Sequence, residues 1–116
     1  MSPGDIHWVE LPPTGGHEQT GRRPAIVLQD DDFAGGLPLV IVVPLTSATS
    51  TLRFAGTLNL EPTAANGLRN ASVALVFQVR AVDRRTVREK LGTVESASLA
   101  EIFSLLDRLM GRHPTA

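Results

Sequence analysis

Polar and charged side chains occur in three groups along this 116-residue chain, each beside an apolar run. The groups are Glu18, Gln19, Arg22 and Arg23 at the start of one run, Thr46 and Ser47 after a second, and Gln78 and Arg80 within a third. Guanidinium groups bind phosphate oxygens in pairs and stabilise charge that builds on phosphorus. If the runs are neighbouring strands, the loops after Leu11 and Leu45 converge at one end, and their side chains form a pocket suited to a phosphodiester.

Several other kinds of chemistry lack the residues they need. The chain has no cysteine, which excludes disulfides and thiolate metal sites. His7, His17 and His113 are scattered, and no pair of them has the spacing of a metal site. The nucleophile-elbow, phosphate-loop and dinucleotide-binding motifs do not occur. We therefore expect no metal and no cofactor.

Length, charge and hydropathy describe an ordinary soluble chain. The length predicts one domain over residues 1–116. The formal net charge of −1 provides no overall attraction to nucleic acid. The first ten residues lack the basic and apolar parts of a signal peptide, and no apolar run approaches the ~18 residues of a membrane span. A cytoplasmic protein without a membrane partner is expected.

The remaining pattern predicts short strands followed by one helix. Strands are expected at residues 4–11, 25–29, 39–45, 54–60, 72–82 and 91–94, with a helical turn within 83–90 and an Asn66–Gly67 turn. Pro44 implies that the third strand lies at an edge, contains a bulge or ends there. Ser98 and Glu101 form a capping-box pattern before an apolar stripe of helical spacing, and Gly111 suits the helix end. The expected architecture is a strongly bent antiparallel sheet or open barrel with a C-terminal helix.

Five ordered segments resemble the MazF/PemK family of toxin endoribonucleases. They are GDIHWVEL, GGHEQTGRRPAIVLQ, VVPLTS, ALVFQVRAVDRRTV and LGTV. The resemblance extends from Gly4 to about Met110, and its most specific part is the pattern G-x-E-Q-x-G-x-R-P that ends at Pro24.

The resemblance implies an SH3-like barrel that works as a homodimer. It also implies metal-independent, sequence-selective cleavage of single-stranded RNA, in which the substrate's own 2′-hydroxyl attacks the adjacent phosphate. The products are a 2′,3′-cyclic phosphate and a 5′-hydroxyl, and DNA cannot react in this way because it lacks the 2′-hydroxyl. The implied inhibitor is a cognate antitoxin whose disordered, acidic C-terminal segment fills the RNA groove.

The family's catalytic arginine and threonine correspond to Arg23 and Thr46. Arg23 would neutralise the transition state, because a guanidinium is a poor proton donor. Pro24 biases Arg23 toward extended backbone and so stiffens its attachment. Thr46 would donate a hydrogen bond to the scissile phosphate, and Glu18 would orient Arg23 or contact a base edge.

The other candidate substrate contacts are Gln19, His17, Arg22, Ser47, Gln78 and Arg80. His17 replaces the small polar residue of many relatives, and is either a proton donor to the leaving oxygen or a tolerated loop substitution. Arg22 is either a general phosphate contact or a surface residue. The three carboxylates at residues 30–32 are expected beside the site, where they would repel RNA; they would either restrict the sequences that fit or point away from the site.

Two other functions remain as alternatives. A DNA gyrase poison of the CcdB type acts through a tryptophan in its C-terminal tail, whereas here the only tryptophan is Trp8 and the chain ends in GRHPTA. An inactive SH3-like binding module is the second alternative. Trp8 shares one face of the first predicted strand with Ile6 and Glu10, which favours a core or dimer-seam position over base stacking.

Overall fold

A computed structural model of the chain describes residues 1–112. Residues 113–116, which include His113 and most of the C-terminal segment GRHPTA, lie outside the described part. The strands are β1 (Asp5–Leu11), β2 (Gly21–Val27), β3 (Leu39–Thr46), β4 (Thr57–Leu60), β5 (Ser72–Leu75), β6 (Arg80–Asp83) and β7 (Val87–Thr93). The helices are α1 (Asp31–Ala34) and α2 (Ser96–Leu109). Short 3₁₀ turns occupy Thr49–Arg53, Val76–Gln78 and Arg84–Thr86.

All strand pairs are antiparallel, and β3 pairs with three neighbours, β2, β5 and β6. The sheet runs in the order β4-β5-β3-β2-β1-β7, and β6 pairs with β3 beside this path. The predicted fold class, mainly β with a C-terminal helix, is confirmed. Within residues 1–112 the sheet is open rather than closed, because its end strands β4 and β7 do not pair.

Two apolar clusters cover the two faces of the sheet. Successive residues of β2 alternate between them: Ile26 belongs to the cluster under α2, whereas Ala25 and Val27 belong to the cluster on the other face. Ile102 of α2 is fully buried in the first cluster. Side chains of a strand point to opposite faces in turn, so a strand covered on both sides has a continuous apolar sequence.

The single strand predicted over residues 72–82 is wrong. Leu45 pairs with Ala74 and Val42 pairs with Arg80, so β3 advances three residues where its partner advances six. The 3₁₀ turn Val76–Gln78 contains the three extra residues and separates β5 from β6. Pro44 lies in the segment of β3 between the two pairings and has no backbone N–H to donate across the gap.

Other element bounds differ from the sequence predictions where pairing or packing overrides local pattern. Strand β7 begins at Val87 because its polar residues pair with β1 at the edge of the sheet, where their side chains reach solvent. Helix α2 begins at Ser96, and the Leu99 N–H donates to the Glu95 carbonyl, so Ser98 lies inside the first turn and the predicted capping box is wrong.

The remaining bounds show the same competition between local pattern and packing. Strand β4 begins at Thr57, after the 3₁₀ turn Thr49–Arg53 and three residues later than predicted. The predicted helical turn is the 3₁₀ segment Arg84–Thr86, and Gly111 follows α2 with φ +74° as expected. No helix of the described chain has the length and apolarity needed to cross a membrane.

The loop over residues 61–70 is fixed by one buried amide. Asn66 Oδ1 accepts from the backbone N–H groups of Thr63 and Leu68, and its Nδ2 donates to the Glu61 carbonyl. Gly67 takes φ +69°, which confirms the predicted turn. Gly92 of β7 lies directly against the loop, and a Cβ at that position would collide with the backbone carbonyl of Ala65.

We expect Gly92→Ala to destabilise the protein by about 1–3 kcal/mol, because the added methyl group would push the loop away from β7. Urea unfolding of both proteins measures the difference. Gly36→Ala is the matched control: no atom lies within 4 Å of a Cβ there. Equal stability of the wild-type protein and Gly92→Ala would contradict the close packing.

Candidate active site

A cavity of about 440 Å³ opens where β2 begins and β3 ends. Ala25 pairs with Pro44, so two residues before Ala25 and two residues after Pro44 the antiparallel register brings Arg23 and Thr46 to the same edge. Both side chains line the cavity, together with the neighbouring Arg22 and Ser47. Of the nine predicted site residues, these four are brought together.

Arg23 is held at its inner end and free at its outer end. Its Nε–H donates to the Thr20 carbonyl at 2.9 Å, which orients the guanidinium plane. The side chain is half-buried, and among the described residues it has no carboxylate partner. The two terminal nitrogens therefore retain donors for a ligand in the cavity.

Thr46 is the last residue of β3 and is only 6% exposed. Its Oγ1 accepts a hydrogen bond from the Ala48 N–H at 3.2 Å, which fixes the rotamer through the turn that follows the strand. A hydroxyl that accepts in this way still has a proton to donate. The cavity wall thus offers one oriented O–H beside the guanidinium of Arg23.

Trp8 and Arg22 form the rim on the β1 side. The Arg22 guanidinium carbon is 4.9 Å from the centroid of the Trp8 ring, a cation–π arrangement, and Arg22 also pairs with Glu89. Hydrogen bonds from its own backbone amide and from Arg22 hold the pKa of Glu89 below its usual value. Trp8 is half-buried and lines the cavity, whereas Val9 is fully buried, so the predicted core position of Trp8 is wrong and its predicted dimer-seam position stays a prediction.

Glu18, Gln19 and His17 lie in the loop that precedes β2, outside the cavity lining. The exposed Glu18 carboxylate accepts from the Thr14 hydroxyl at 3.0 Å. Hydrogen bonds from its own backbone amide and from Thr14 lower the pKa of Glu18. The contact that orients Arg23 in this structure is the Thr20 carbonyl rather than Glu18.

Gln78 and Arg80 also lie outside the cavity lining, and both contact Gln19. Gln78 Oε1 accepts from the Gln19 backbone N–H at 2.8 Å, and Arg80 Nη2 donates to the Gln19 carbonyl. Burial lowers the pKa of Arg80, although the nearby charge of Glu18 opposes the shift. The two do not lie on the single predicted strand over residues 72–82, because Gln78 lies in the 3₁₀ turn that follows β5 and Arg80 begins β6.

The carboxylates at residues 30–32 lie at the opposite end of β2 from the cavity, so their predicted place beside the site is wrong. Asp31 pairs with the Met1 ammonium group at 2.9 Å and with Arg84 at 3.2 Å. Hydrogen bonds from these two groups lower the pKa of Asp31. The N-cap of α1 is Asp30, whose side chain accepts from the Asp32 N–H.

Sequence reasoning missed the part of the cavity lining that comes from the 61–70 loop. Arg69 and Asn70, at the end of this loop, line the cavity together with the residues of β2 and β3. A single arginine after an Asn–Gly turn is usually a surface residue, so the sequence signal was weak. With Arg69 included, three arginines and no carboxylate contribute to the lining across residues 1–112. The same residues contain no group of three or more histidine, aspartate or glutamate side chains placed to hold a metal ion.

Comparison with known proteins identifies relatives along nearly the whole chain. The family model described as "PemK-like, MazF-like toxin of type II toxin-antitoxin system" matches residues 2–110. The endoribonuclease MazF of Staphylococcus epidermidis is 30% identical over 108 residues, which are 93% of this chain and 89% of that protein.

Two solved structures share the fold at comparable identity. The crystal structure of MazF from Deinococcus radiodurans matches with a TM-score of 0.81 and 32% identity, covering 96% of both chains. A MazE–MazF crystal structure from the same organism matches with a TM-score of 0.74 and 31% identity over 97% of both chains. The matching family model spans all the elements that build the cavity, and the chain belongs to the PemK-like, MazF-like toxins of type II toxin–antitoxin systems.

Proposed function

We propose that this protein is a toxin endoribonuclease that cleaves single-stranded RNA in the cavity between β2, β3 and the 61–70 loop. The observation that carries the proposal is the position of Arg23 and Thr46 on one wall of a cavity whose described lining contains three arginines and no carboxylate. Such a lining favours a phosphodiester over a neutral or cationic ligand. The relatives named endoribonuclease MazF support the same activity.

In the proposed reaction the ribose 2′-oxygen attacks the adjacent phosphorus and the bond from phosphorus to the 5′-oxygen breaks. Arg23 stabilises the negative charge that builds on the phosphoryl oxygens, and Thr46 donates a hydrogen bond to one of them. A proton leaves the 2′-hydroxyl and another reaches the 5′-oxygen. We assign both transfers to solvent, because His17 lies outside the cavity lining. The step needs no metal ion.

Selectivity for RNA sequence is assigned to the rim of the cavity. The Trp8 ring provides a stacking surface, and Asn70 provides amide donors and an acceptor for base edges. Arg69 of the 61–70 loop, for which the structure gives no ion pair within residues 1–112, adds a further phosphate contact. Together these residues define a path for a single strand across the site.

The proposed partners are a second copy of this chain and an acidic antitoxin segment. In the Deinococcus MazE–MazF crystal structure a MazF is paired with MazE, and an acidic peptide complements the arginines of the cavity in the present chain. Exposed apolar side chains on α2, on the 3₁₀ turn Val76–Gln78, and on and directly after the 3₁₀ turn Thr49–Arg53 support a dimer. These side chains are Leu52, Phe54, Phe77, Phe103 and Leu109.

Long RNA incubated with the protein in excess EDTA should yield discrete fragments with 5′-hydroxyl and 2′,3′-cyclic phosphate ends. Kinase labelling of the new 5′ ends without prior phosphatase treatment detects the first, and mass spectrometry detects the second. DNA of the same sequence is the control and should stay intact, because it has no 2′-hydroxyl. Cleavage that stops in EDTA, or that cuts DNA equally, would contradict the mechanism.

Removal of the two proposed catalytic groups should reduce kcat/KM without unfolding the protein. We expect losses of about 10²–10³-fold for Arg23→Ala and about tenfold or more for Thr46→Val, since each deletes a group that binds developing charge. Thr46→Ser keeps the hydroxyl and should recover most of the activity. Arg85→Ala is the control, because Arg85 is 90% exposed and, among the residues that the structure describes, forms an ion pair only with the nearby Asp83. Full activity of Arg23→Ala would refute the assignment.

Sedimentation equilibrium should give twice the 12.4 kDa chain mass. A monomer at about 100 μM would contradict the dimer.

An acidic peptide from the cognate antitoxin should inhibit RNA cleavage competitively, because both ligands would use the same arginines. Inhibition that RNA cannot relieve would place the antitoxin elsewhere.

A further inference from the structure

We propose that Gln78 and Arg80 are positioning residues that grip the backbone of Gln19 and thereby hold the guanidinium of Arg23 in its reactive orientation. The inference rests on the proposed function, because it assigns these two residues to the cleavage reaction without contact to RNA. It replaces the substrate-binding role that the sequence predicted for them.

Gln78 uses both ends of its amide on the loop before β2. Its Oε1 accepts from the Gln19 N–H at 2.8 Å, and its Nε2 donates to the His17 carbonyl at 3.4 Å. A side-chain amide with one donor and one acceptor so placed substitutes for a neighbouring strand. The loop contains two prolines and two glycines and has no strand partner of its own, so these bonds replace missing backbone pairing.

Arg80 holds the other side of the same residue. Its Nη2 donates to the Gln19 carbonyl, so both polar groups of the Gln19 backbone are engaged by side chains some sixty positions along the chain. The Arg80 backbone pairs with Val42 of β3, which makes the base of this side chain rigid. Its Nε is buried without a hydrogen-bond partner, so the guanidinium gives up solvation to lie here. Its contact with the Gln19 carbonyl offsets part of that cost.

The connection to Arg23 runs through the next residue. Thr20 follows Gln19, whose backbone Gln78 and Arg80 hold by hydrogen bonds. The Thr20 carbonyl accepts the hydrogen bond from Arg23 Nε at 2.9 Å. Gly21 comes after it with φ +81°, a conformation that favours glycine. If Gln19 moves, the Thr20 carbonyl moves with it and Arg23 loses the acceptor that sets its plane. A displacement of about 1 Å at a catalytic group reduces rates strongly.

The alternative is direct contact between Gln78 or Arg80 and RNA, and the variant Gln78→Glu separates the two roles. A carboxylate keeps the acceptor for the Gln19 N–H but replaces the longer bond to the His17 carbonyl with two acceptors that face each other. A positioning role therefore predicts kcat within about threefold of the wild-type value at an unchanged KM. Direct contact predicts a rise in KM of tenfold or more, because a carboxylate repels phosphate.

The test combines nuclear magnetic resonance of the RNA-free protein with steady-state cleavage of a defined RNA oligonucleotide. In Gln78→Ala we expect amide exchange at Gln19 to rise about fivefold to tenfold, the effect of one lost hydrogen bond. The Arg23 Nε–H resonance should broaden or exchange faster. We also expect kcat to fall about tenfold while KM changes less than twofold. Arg80→Met removes the bond to the Gln19 carbonyl rather than the bond from the Gln19 N–H, so it should change the Arg23 resonance and kcat in the same way.

Asn59→Ala is the matched control, because within residues 1–112 the exposed Asn59 amide hydrogen-bonds only to Glu61, and Asn59 lies outside both the loop before β2 and the cavity lining. It should leave the Gln19 amide exchange, the Arg23 Nε–H resonance, kcat and KM unchanged. Recovery of kcat to within about threefold in Gln78→Glu supports the grip. Unchanged exchange at Gln19 in Gln78→Ala, or a higher KM at constant kcat, overturns it.

The outcome separates this inference from the proposed function. If the wild-type protein cleaves no RNA, the proposed function fails. The positioning role of Gln78 and Arg80 in catalysis then fails as well, even where the Gln19 and Arg23 resonances change as expected. If the wild-type protein cleaves RNA and the Arg23 resonance stays unchanged in Gln78→Ala and Arg80→Met, only the positioning role fails.

Discussion

Ala25 pairs with Pro44 across β2 and β3, and this register determines which side chains meet at the ends of the two strands. The pairing fixes Arg23 and Thr46 at one edge without direct contact between them. Burial on both faces keeps the register in place, since a slip by one residue would exchange the side chains of a strand between the two apolar clusters. The site is thus a consequence of two apolar strands that cannot slide.

The same strand carries the interruption that gives the site its support. Pro44 lacks the donor that a continuous partner strand would need, and the chain after β5 turns away for three residues before β6 resumes the pairing. Gln78 lies in that turn and Arg80 lies just after it, which brings both to the loop before β2. A proline in an interior strand therefore creates room for the residues that hold the loop.

Charge is distributed unevenly although the chain is almost neutral, with a net charge of −1. Away from the cavity, arginines pair with carboxylates: Arg84 with Asp31, Arg85 with Asp83 and Arg88 with Glu10. The hydrogen bonds from Arg85 lower the pKa of Asp83 to about 2. The described lining of the cavity contains three arginines and no carboxylate, and of these only Arg22 has an ion pair within residues 1–112, with Glu89 outside the lining. Net charge therefore conceals a local positive field, and a global count could not have indicated the ligand.

The sequence by itself determined the class of fold and the terminal helix with Gly111 at its end, and its resemblance to the MazF/PemK family singled out Arg23 and Thr46 as the central candidates. The fold class and the helix follow from local periodicity and from turn chemistry. Only the tertiary structure decided that Gln78 and Arg80 grip the loop, and that Trp8 and Arg69 line the cavity. These roles depend on strand register and on contacts between residues some sixty positions apart, which local backbone preference does not encode.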